Sequence, residues 1–407
     1  MERESHLIMK EIIKHKITHN VNRLKTSLKW VVFAILSGVL VGSVGTLFYL
    51  CMALVTLVRT KNPWLIFLLP VGGILIVGAY RLLHDERDTG TNLVLSAIHS
   101  GDELPLRMAP LIFISTLITH LFGGSADLAP SNKTNLKGEG DFSKADYSGK
   151  NLHFGVREQA MTAIGNGLVL HGGVIPYVAT FFVFSDYMKP IARLSSLMKV
   201  PLIYVLTHDS IGVGEDGPTH EPIEQLAMLR AQPNFHVFRP ADAKETAAAW
   251  YSAITSEKTP TALVLTRQNL PQLAGTGRDA VKGAYIVADS AKETPDAIII
   301  ATGSELSLAV EAKELLLKDG MDVRVVSMPC MDLFEEQSAE YKESVLPKAV
   351  RKRVAVEALS DFGWGRYVGL DGATVCMEGF GASGPAAQLF EKFGFTAERV
   401  AETVKSL

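Results

Sequence analysis

Residues 201–222 read PLIYVLTHDSIGVGEDGPTHEP, and this stretch decides the fold. Its first seven residues form an apolar run that is typical of a buried parallel strand. The loop that follows, residues 207–222, holds two His, four acids and three Gly. So many polar groups are costly to bury without a purpose, and so many glycines argue against a helix. Ligands of α/β proteins bind where strands end and helices begin, so this loop is the first candidate for a functional site.

The same alternation of apolar runs and helical patterns continues on both sides of this stretch. The further segments are the predicted strands 174–184, 235–241 and 261–266 and the predicted helices 157–172 and 242–256. The last helix begins with a capping box, Asp242 followed by Glu245. This alternation predicts a doubly wound, mostly parallel sheet. A loop rich in Gly and Pro, residues 271–284, then precedes a smaller C-terminal α/β domain at 285–407.

The first third of the chain has a different composition. Residues 31–58 contain no charged side chain, and this run is longer than the roughly 20 residues that cross a bilayer. Residues 63–80 are a second apolar run. The basic residues before position 30 predict a cytoplasmic N-terminus. We therefore expect residues 31–80 to insert into the inner or plasma membrane as an α-helical hairpin, with the α/β part cytoplasmic. A third run, 108–122, is predicted to be a half-spanning helix. A buried pair of core helices is the alternative.

Charge and cysteine content narrow the function further. The formal net charge of -3 argues against a nucleic-acid partner. The three cysteines, Cys51, Cys330 and Cys376, lie far apart and match neither a disulfide framework nor a zinc site. A reducing compartment is the expected setting.

Residues 1–126 resemble the N-terminal part of a CLC-type chloride channel or transporter. The resemblance rests on a basic amphipathic first helix, a long second helix, and a short helix that runs into LFGGSA (121–126). In that family a Gly-Arg-Glu-Gly type loop follows, whereas here Asp127-Leu128-Ala129-Pro130 follows. The resemblance therefore implies an incomplete set of membrane helices in residues 1–122, and ion conduction is not expected.

Residues 123–407 resemble transketolase in motif order and spacing. The motifs are GGSADLAPSN (123–132), FGVREQAM (154–161), ATFFVFSDY (179–187), THDSIGVGEDGPTHEPIEQL (207–226), TRQNLPQL (266–273) and GLDGATVCMEGFGASGPAAQLFEKFGF (369–395). The resemblance implies a pyrimidine-binding domain at 123–284 and a C-terminal domain at 285–407, and it leaves open that residues 118–122, predicted above as part of a half-spanning helix, provide the first strand of the pyrimidine-binding domain. Deoxyxylulose-phosphate synthase and the pyruvate dehydrogenase beta subunit share this fold, but ADLAPSN and HDSIGVGEDGPTHEP favour transketolase.

The resemblance implies thiamine diphosphate as the cofactor. Glu158 matches the glutamate that protonates the pyrimidine ring of the cofactor, so that the thiazolium ring can lose its proton. Phe181, Phe184 and Tyr187 match the aromatic pocket for that ring, although a spacing of three is also typical of one face of a core helix. Asp127 matches a residue near the cofactor and the dimer interface.

The resemblance also implies phosphorylated sugars as substrates. His208, Asp216 and His220 match residues that bind the sugar donor and acceptor, and imidazoles with a pKa near neutral can move protons between hydroxyls. A metal site with His and Asp ligands is the alternative. Ser131 and Arg267 match residues that hold the terminal phosphate, for which Arg is well suited. A surface salt bridge is the alternative for Arg267.

One element of the family pattern is not found in these 407 residues. The Gly-Asp-Gly motif, which in transketolase binds Mg²⁺ and the cofactor diphosphate, does not occur. We therefore expect transfer of a two-carbon ketol unit only when a partner chain supplies a diphosphate-binding domain, in a dimer formed through the α/β part. Two alternatives remain open: a membrane-tethered fragment, and a chimera without activity, fused at the tetrapeptide 123–126 that both families share.

Overall fold

The computed structural model describes residues 121–407, together with Leu50 and Leu54. Within these residues the chain forms two sheets. The first sheet has six parallel strands in the order β2-β1-β3-β4-β6-β5. Its strands are β1 (Leu121–Ser125), β2 (Asn151–His153), β3 (Ile175–Phe181), β4 (Ile203–Thr207), β5 (His236–Phe238) and β6 (Thr261–Leu265). The helices of this part are α1 (Ala129–Asn132), α2 (Glu158–His171), α3 (Ser185–Met198), α4 (Gln225–Arg230) and α5 (Ala243–Thr255).

The central strands β3 and β4 are largely apolar because both of their faces are covered. Alternate side chains of a strand point to opposite faces, and the two faces belong to separate buried clusters. Val178 and Tyr204 pack in one cluster, while Tyr177 and Ile203 pack in the other. This burial explains why the sequence shows continuous apolar runs at β3 and β4 in place of an alternating pattern.

The second sheet has five strands in the order β11-β10-β8-β9-β7, and β7 pairs with β9 in antiparallel orientation. Its strands are β7 (Tyr285–Ala288), β8 (Ile298–Ala301), β9 (Arg324–Ser327), β10 (Arg353–Ser360) and β11 (Ala373–Met377). The helices that follow in the chain are α6 (Glu305–Lys318), α7 (Met331–Glu335), α8 (Ala339–Val345), α9 (Gly365–Val368), α10 (Ala386–Lys392) and α11 (Ala397–Ser406). The parallel α/β architecture predicted from the alternating pattern is present in both parts.

The start of α5 differs from a simple capping box. The side chain of Asp242 accepts hydrogen bonds from the backbone N–H groups of Lys244 and Glu245, as predicted for an N-cap. Glu245 does not return to the N–H of Asp242. Its carboxylate accepts from the N–H of Ala241, one residue earlier, and from the hydroxyl of Tyr285 in β7. Glu245 thus ties the beginning of α5 to the second sheet.

The predicted N-terminal transmembrane segment and its insertion into a membrane are wrong. Among the residues that the structure describes, no helix is long and apolar enough to cross a bilayer. Most of residues 31–80, on which the prediction rested, lie outside the described residues. An apolar run reports only that its side chains avoid water, and a sheet meets that requirement as well as a bilayer does.

The predicted half-spanning helix at 108–122 illustrates this correction. Residues 108–120 lie outside the described residues, but Leu121 and Phe122 begin β1. This strand pairs in parallel with β2 and with β3, so that it is an interior strand of the first sheet. The segment LFGGS therefore belongs to the α/β part of the chain. Gly123 and Gly124 are required there, because a Cβ atom would lie 2.1 Å from the carbonyl oxygen of Tyr177 and 1.7 Å from that of Leu152.

Candidate functional site

The candidate site lies at the carboxyl ends of neighbouring strands of the first sheet. Because these strands are parallel, the segments that leave them emerge at one edge of the sheet, where α/β proteins bind ligands. Strand β3 ends at Phe181, β4 ends at Thr207, and β1 ends at Ser125. Most of the residues predicted from the motifs follow directly after these ends. The histidine loop, defined here as residues 207–221, leaves β4.

The three predicted pocket aromatics form a ladder that crosses three elements. Phe181 is the last residue of β3, Phe184 ends a 3-10 turn, and Tyr187 lies in the first turn of α3. The rings of Phe181 and Phe184 are stacked with their centroids 6.1 Å apart, and Tyr187 lies 6.2 Å from Phe184. Phe181 is buried, whereas Tyr187 is 63% exposed. The spacing of three therefore does not mark a core helix face, and the ladder ends at an open surface.

Both histidines of the loop pack against this ladder. His208 stacks on Phe181 with centroids 3.7 Å apart and planes 25° apart. His220 meets Phe184 edge-on at 5.6 Å. The backbone of His208 adopts φ 64°, a left-handed conformation that is unusual for a residue other than glycine. Such local strain is typical of functional sites, and here it turns the imidazole onto the aromatic ring.

The imidazole of His208 is held in its neutral form. Burial, together with the charges of Arg267 and His220, lowers its pKa to about 4, and Asp216 opposes this shift. These electrostatic effects place Arg267, Asp216 and His220 close to His208. Arg267 and Asp216 are themselves exposed, so their charges remain accessible to a ligand.

Two polar residues at this site were not singled out from the sequence. The hydroxyl of Thr207 lies 2.9 Å from Nδ1 of His208 and donates to Oδ1 of Asn132 at 2.7 Å. The amide nitrogen of Asn132 donates to Oγ of Ser125 at 2.8 Å. Asn132 stands inside the motif GGSADLAPSN and Thr207 opens the motif THDSIG, so both were within the quoted strings. A buried polar side chain at a strand end is the signal that could have identified them.

The remaining predicted residues occupy separate positions at the same edge. Glu158 is the first residue of α2, after β2, and is only 6% exposed. The N-terminus of a helix favours a negative charge there. Asp127, with φ 65°, and Ser131 follow β1 and are both exposed. The cofactor and substrate roles of these residues stay predictions.

Glu221, at the end of the histidine loop, is a buried carboxylate that sequence reasoning missed. It is 2% exposed and packs under the segment that follows β11, where a Cβ on Gly381 would lie 1.9 Å from its Oε2. The N–H of Ala382 approaches the carboxylate, but neither oxygen makes a hydrogen bond of normal geometry in the described part of the chain. Burial raises the pKa of Glu221 to about 7, and the N–H of Ala382 offsets part of that effect.

Beneath the histidine loop lies a second group of buried charges. The Arg239 cluster is defined here as Arg239, Asp209, Glu305, Glu357 and Arg230. Arg239 donates to Asp209 at 2.9 Å and also to Glu305, and all three side chains are almost fully buried. Arg230 forms a bidentate pair with Glu357 at 2.8 and 2.9 Å. Because Glu305 begins α6 and Glu357 lies in β10, this cluster joins the two sheets.

The alternative of a metal site at the histidines receives no support from the described residues. Residues 121–407 contain no group of three or more His, Cys, Asp or Glu side chains arranged to hold a metal ion. Within the histidine loop, Nδ1 of His220 forms a hydrogen bond of 2.9 Å with the hydroxyl of Thr219.

Comparison with known protein families matches both α/β parts. Residues 114–272 match the family described as transketolase, pyrimidine binding domain, and residues 283–396 match the transketolase-like TK C-terminal domain. The first match begins inside the run 108–122 that was predicted to be a membrane helix. Neither match concerns chloride channels, so the CLC resemblance of residues 1–126 finds no support in them.

Individual relatives agree with the family matches. Transketolase of Bacillus subtilis is 57% identical over 294 residues, which cover 71% of this chain and 44% of that protein. Transketolase of Geobacillus stearothermophilus is 54% identical over 334 residues, or 80% of this chain and 50% of that protein. The chain thus spans about half the length of the curated relatives it matches.

Solved structures give the same result. The crystal structure of Pichia stipitis transketolase in complex with sedoheptulose-7-phosphate aligns with a TM-score of 0.68 at 48% identity, covering 72% of this chain and 45% of that one. A structure described as a split gene transketolase, inactive beta4 tetramer, aligns with a TM-score of 0.56 at 25% identity and covers 70% of this chain. This chain covers 91% of that shorter protein.

Proposed function

Residues 114–272 and 283–396 are the pyrimidine-binding and C-terminal domains of the transketolase family, and from this premise we propose that the chain is one half of a thiamine diphosphate-dependent ketol-transferase. Its substrates would be phosphorylated sugars. The domain boundaries predicted from the motifs, 123–284 and 285–407, are part of this proposal. The observation that carries it is the stack of His208 on the aromatic ladder, beside Arg267, Asp216 and His220.

The residues at the strand ends fit the pyrimidine end of the cofactor. A flat heteroaromatic ring packs favourably against aromatic side chains in offset or edge-on arrangements. The ladder of Phe181, Phe184 and Tyr187 provides such a surface, buried at one end and open at the other. Glu158 would supply the carboxylate for the ring nitrogen. When bound, thiamine diphosphate supplies the carbon nucleophile that carries the two-carbon unit.

The side chains around the ladder have complementary roles in this proposal. His208 is neutral near pH 7, so it can hydrogen-bond a sugar hydroxyl and take up its proton. Arg267 and Ser131 would hold the terminal phosphate, for which the planar guanidinium gives bidentate contacts. Asp216 and His220 would bind further sugar hydroxyls. The shared neighbourhood of Arg267 and His208 keeps phosphate and reacting hydroxyl on the same side of the sheet.

We further propose that the diphosphate and its Mg²⁺ are held by residues outside the two matched domains. The 407 residues contain no Gly-Asp-Gly motif, and the described part offers no cluster of metal ligands. The split gene transketolase chain, of which this chain covers 91%, is described as inactive in its beta4 form. By analogy, the present chain would need a diphosphate-binding partner chain for turnover.

A second copy of the chain is the partner that the surface of α2 and α3 favours. These two helices pack against each other. These two helices and the segment just before α2 expose six large apolar side chains: Val156, Ile164, Leu170, Leu194, Leu197 and Met198. Monomeric proteins rarely expose so many large apolar side chains on one pair of helices, and such a surface is typical of a protein–protein interface. We therefore propose that the chain dimerises through the α/β part, with Glu158 close to the interface.

Reconstitution tests the proposal directly. The chain is mixed with a diphosphate-binding chain of a split transketolase, thiamine diphosphate and Mg²⁺, and transfer from xylulose 5-phosphate to ribose 5-phosphate is measured. We expect turnover by the mixture and none by the chain alone. Failure of the mixture would favour the alternative that this chain is a chimera without activity, and turnover by the chain alone would refute the need for a partner.

The role of Glu158 is tested in the same mixture. Glu158→Gln keeps the size of the side chain but removes its proton chemistry, so we expect activity to fall about 100- to 10,000-fold. The matched control is Glu311→Gln, which changes an exposed glutamate of α6, a helix that packs against the second sheet. This variant should retain full activity. Equal activity of the two variants would refute the assignment of Glu158.

A further inference from the structure

Four buried side chains form a continuous line of hydrogen bonds that ends on His208. They are Ser125 at the end of β1, Asn132 at the end of α1, Thr207 at the end of β4, and His208 itself. Their exposed fractions are 1%, 5%, 5% and 6%, so water does not compete for these bonds. The three contacts measure 2.8, 2.7 and 2.9 Å along the line.

The direction of each bond follows from the donors available. The amide of Asn132 uses its NH₂ group on Ser125 and presents Oδ1 to Thr207. A carbonyl oxygen has no proton, so the hydroxyl of Thr207 must donate its single proton to Oδ1. That hydroxyl then has only lone pairs left for His208. The ring nitrogen Nδ1 must therefore carry a proton to complete the bond.

We infer that Asn132 and Thr207 are positioning residues that hold His208 as its Nδ1–H tautomer and leave Nε2 as a bare acceptor. The inference rests on the proposed function for its consequence, because an acceptor at Nε2 selects a hydroxyl of the substrate rather than a carbonyl or phosphate oxygen. Among the described residues, Nε2 makes no hydrogen bond of its own. One face of the ring is constrained as well, since Phe181 stacks on it with centroids 3.7 Å apart.

The neutral state of the ring is consistent with this arrangement. Burial lowers the pKa of His208 to about 4, and Arg267 contributes in the same direction. At neutral pH, Nε2 therefore stays unprotonated and can accept a proton from a hydroxyl. The positive charge of Arg267 would attract phosphate oxygens. The two neighbouring side chains would therefore bind different groups of the substrate: Arg267 the phosphate, and His208 a hydroxyl.

The tautomer is measured by ¹⁵N NMR on the full chain labelled with ¹⁵N-histidine. The chain has eleven histidines, and His208→Gln identifies the resonances of His208 by their loss. The two nitrogens of a neutral imidazole have well-separated shifts, which report which of them carries the proton. We expect the wild-type chain to show His208 with the proton on Nδ1. A wild-type ring protonated on Nε2 would overturn the inference.

Two variants test what sets the tautomer. Asn132→Leu removes the acceptor for Thr207, so the Thr207 hydroxyl becomes free to donate to Nδ1, and we expect the ring to change to the Nε2–H form. Thr207→Val removes the hydroxyl and should also abolish the Nδ1–H preference, whereas Thr207→Ser keeps the hydroxyl and should preserve it. If Asn132→Leu fails to fold, the Thr207 pair decides alone. An unchanged Nδ1–H tautomer in Thr207→Val would overturn the inference.

This measurement separates the inference from the proposed function. No substrate, cofactor or partner chain is present in the NMR sample, so the tautomer can be confirmed even if reconstitution yields no ketol transfer. Conversely, an active mixture with a wild-type His208 protonated on Nε2 would retain the proposed function and refute the role of Asn132 and Thr207.

Discussion

His208 and Asp209 are adjacent in the chain, yet they belong to two buried regions that differ in the counter-charge around each group. In the histidine loop, burial lowers the pKa of His208 to about 4 and raises that of Glu221 to about 7, so both groups move toward neutrality. In the Arg239 cluster burial opposes the charge of Arg239, yet Glu305 and Asp209 raise its pKa, and although burial also raises the pKa of Glu305, the contact with Arg239 counteracts that effect. Burial is common to both regions, since the residues named here, His208, Glu221, Arg239, Glu305 and Asp209, are all buried.

The difference arises from counter-charge and not from depth. Burial penalises any ionised group, and only a nearby opposite charge or a set of hydrogen bonds restores the ionised form. Glu357 has Arg230 at 2.8 Å, and although burial opposes it, this contact keeps the pKa of Glu357 below its usual value. Glu221 meets a backbone N–H in place of a cation. Unpaired groups with shifted pKa are chemically available, whereas the paired groups hold the two sheets together.

Removal of the central cation should have the largest effect. Arg239→Met leaves Asp209 and Glu305 buried without their partner, and breaking a buried ion pair in this way costs about 3–5 kcal/mol. We expect the free energy of unfolding of the full chain, measured by urea denaturation, to fall by that amount. Arg239→Lys keeps the charge but loses the planar fork, so its loss should be smaller. A loss below about 1 kcal/mol in Arg239→Met would show that the cluster does not join the sheets.

Glu221→Gln should act in the opposite direction and depend on pH. The folded-state pKa of Glu221, about 7, lies above its ordinary value of 4.5, so its contribution to stability is present below pH 4.5 and is lost as the pH rises through 7. The variant does not titrate there. At pH 8 we expect it to be more stable than the wild type by about 3–4 kcal/mol, because the rise of the pKa from 4.5 to about 7 corresponds to about 1.4 kcal/mol per pKa unit.

The pH series supplies its own control for Glu221. The difference between Glu221→Gln and wild type should grow between pH 4.5 and 7 and stay constant above pH 7, as measured by thermal unfolding. Glu215→Gln changes an exposed carboxylate of the same loop and serves as the matched control for the loss of one charge. A difference for Glu221→Gln that does not vary with pH would mean that this carboxylate is ionised throughout.

The smallest effect is expected at an exposed ion pair. Arg351 pairs with Asp371, and the side chain of Arg351 is 70% exposed. Exposed pairs of this kind contribute about 0–1 kcal/mol, because water screens the charges. Arg351→Met should therefore change the urea-derived free energy of unfolding by no more than about 1 kcal/mol. A loss as large as that of Arg239→Met would indicate that burial is not what separates the two pairs.

Much of the α/β part was predictable from local pattern. Continuous apolar runs predicted β3, β4, β5 and β6, since strands covered on both faces need apolar residues at every position. The run 108–122 left two predictions open, a half-spanning helix and the first strand of the pyrimidine-binding domain, and Leu121 and Phe122 lie in that strand.

The alternation of strands and helices and the motifs that match transketolase could be read from the amino-acid sequence alone, because both depend on which residues are neighbours along the chain. Which of those residues contact one another became evident only in the folded chain. Asn132 and Thr207 are 75 positions apart in the chain, yet they are linked to His208 by consecutive hydrogen bonds. Arg239 likewise forms an ion pair with Glu305, which belongs to the second α/β part. Protonation states, tautomers and buried ion pairs are set by burial and by contacts between distant segments, so they arise only once the strands are side by side.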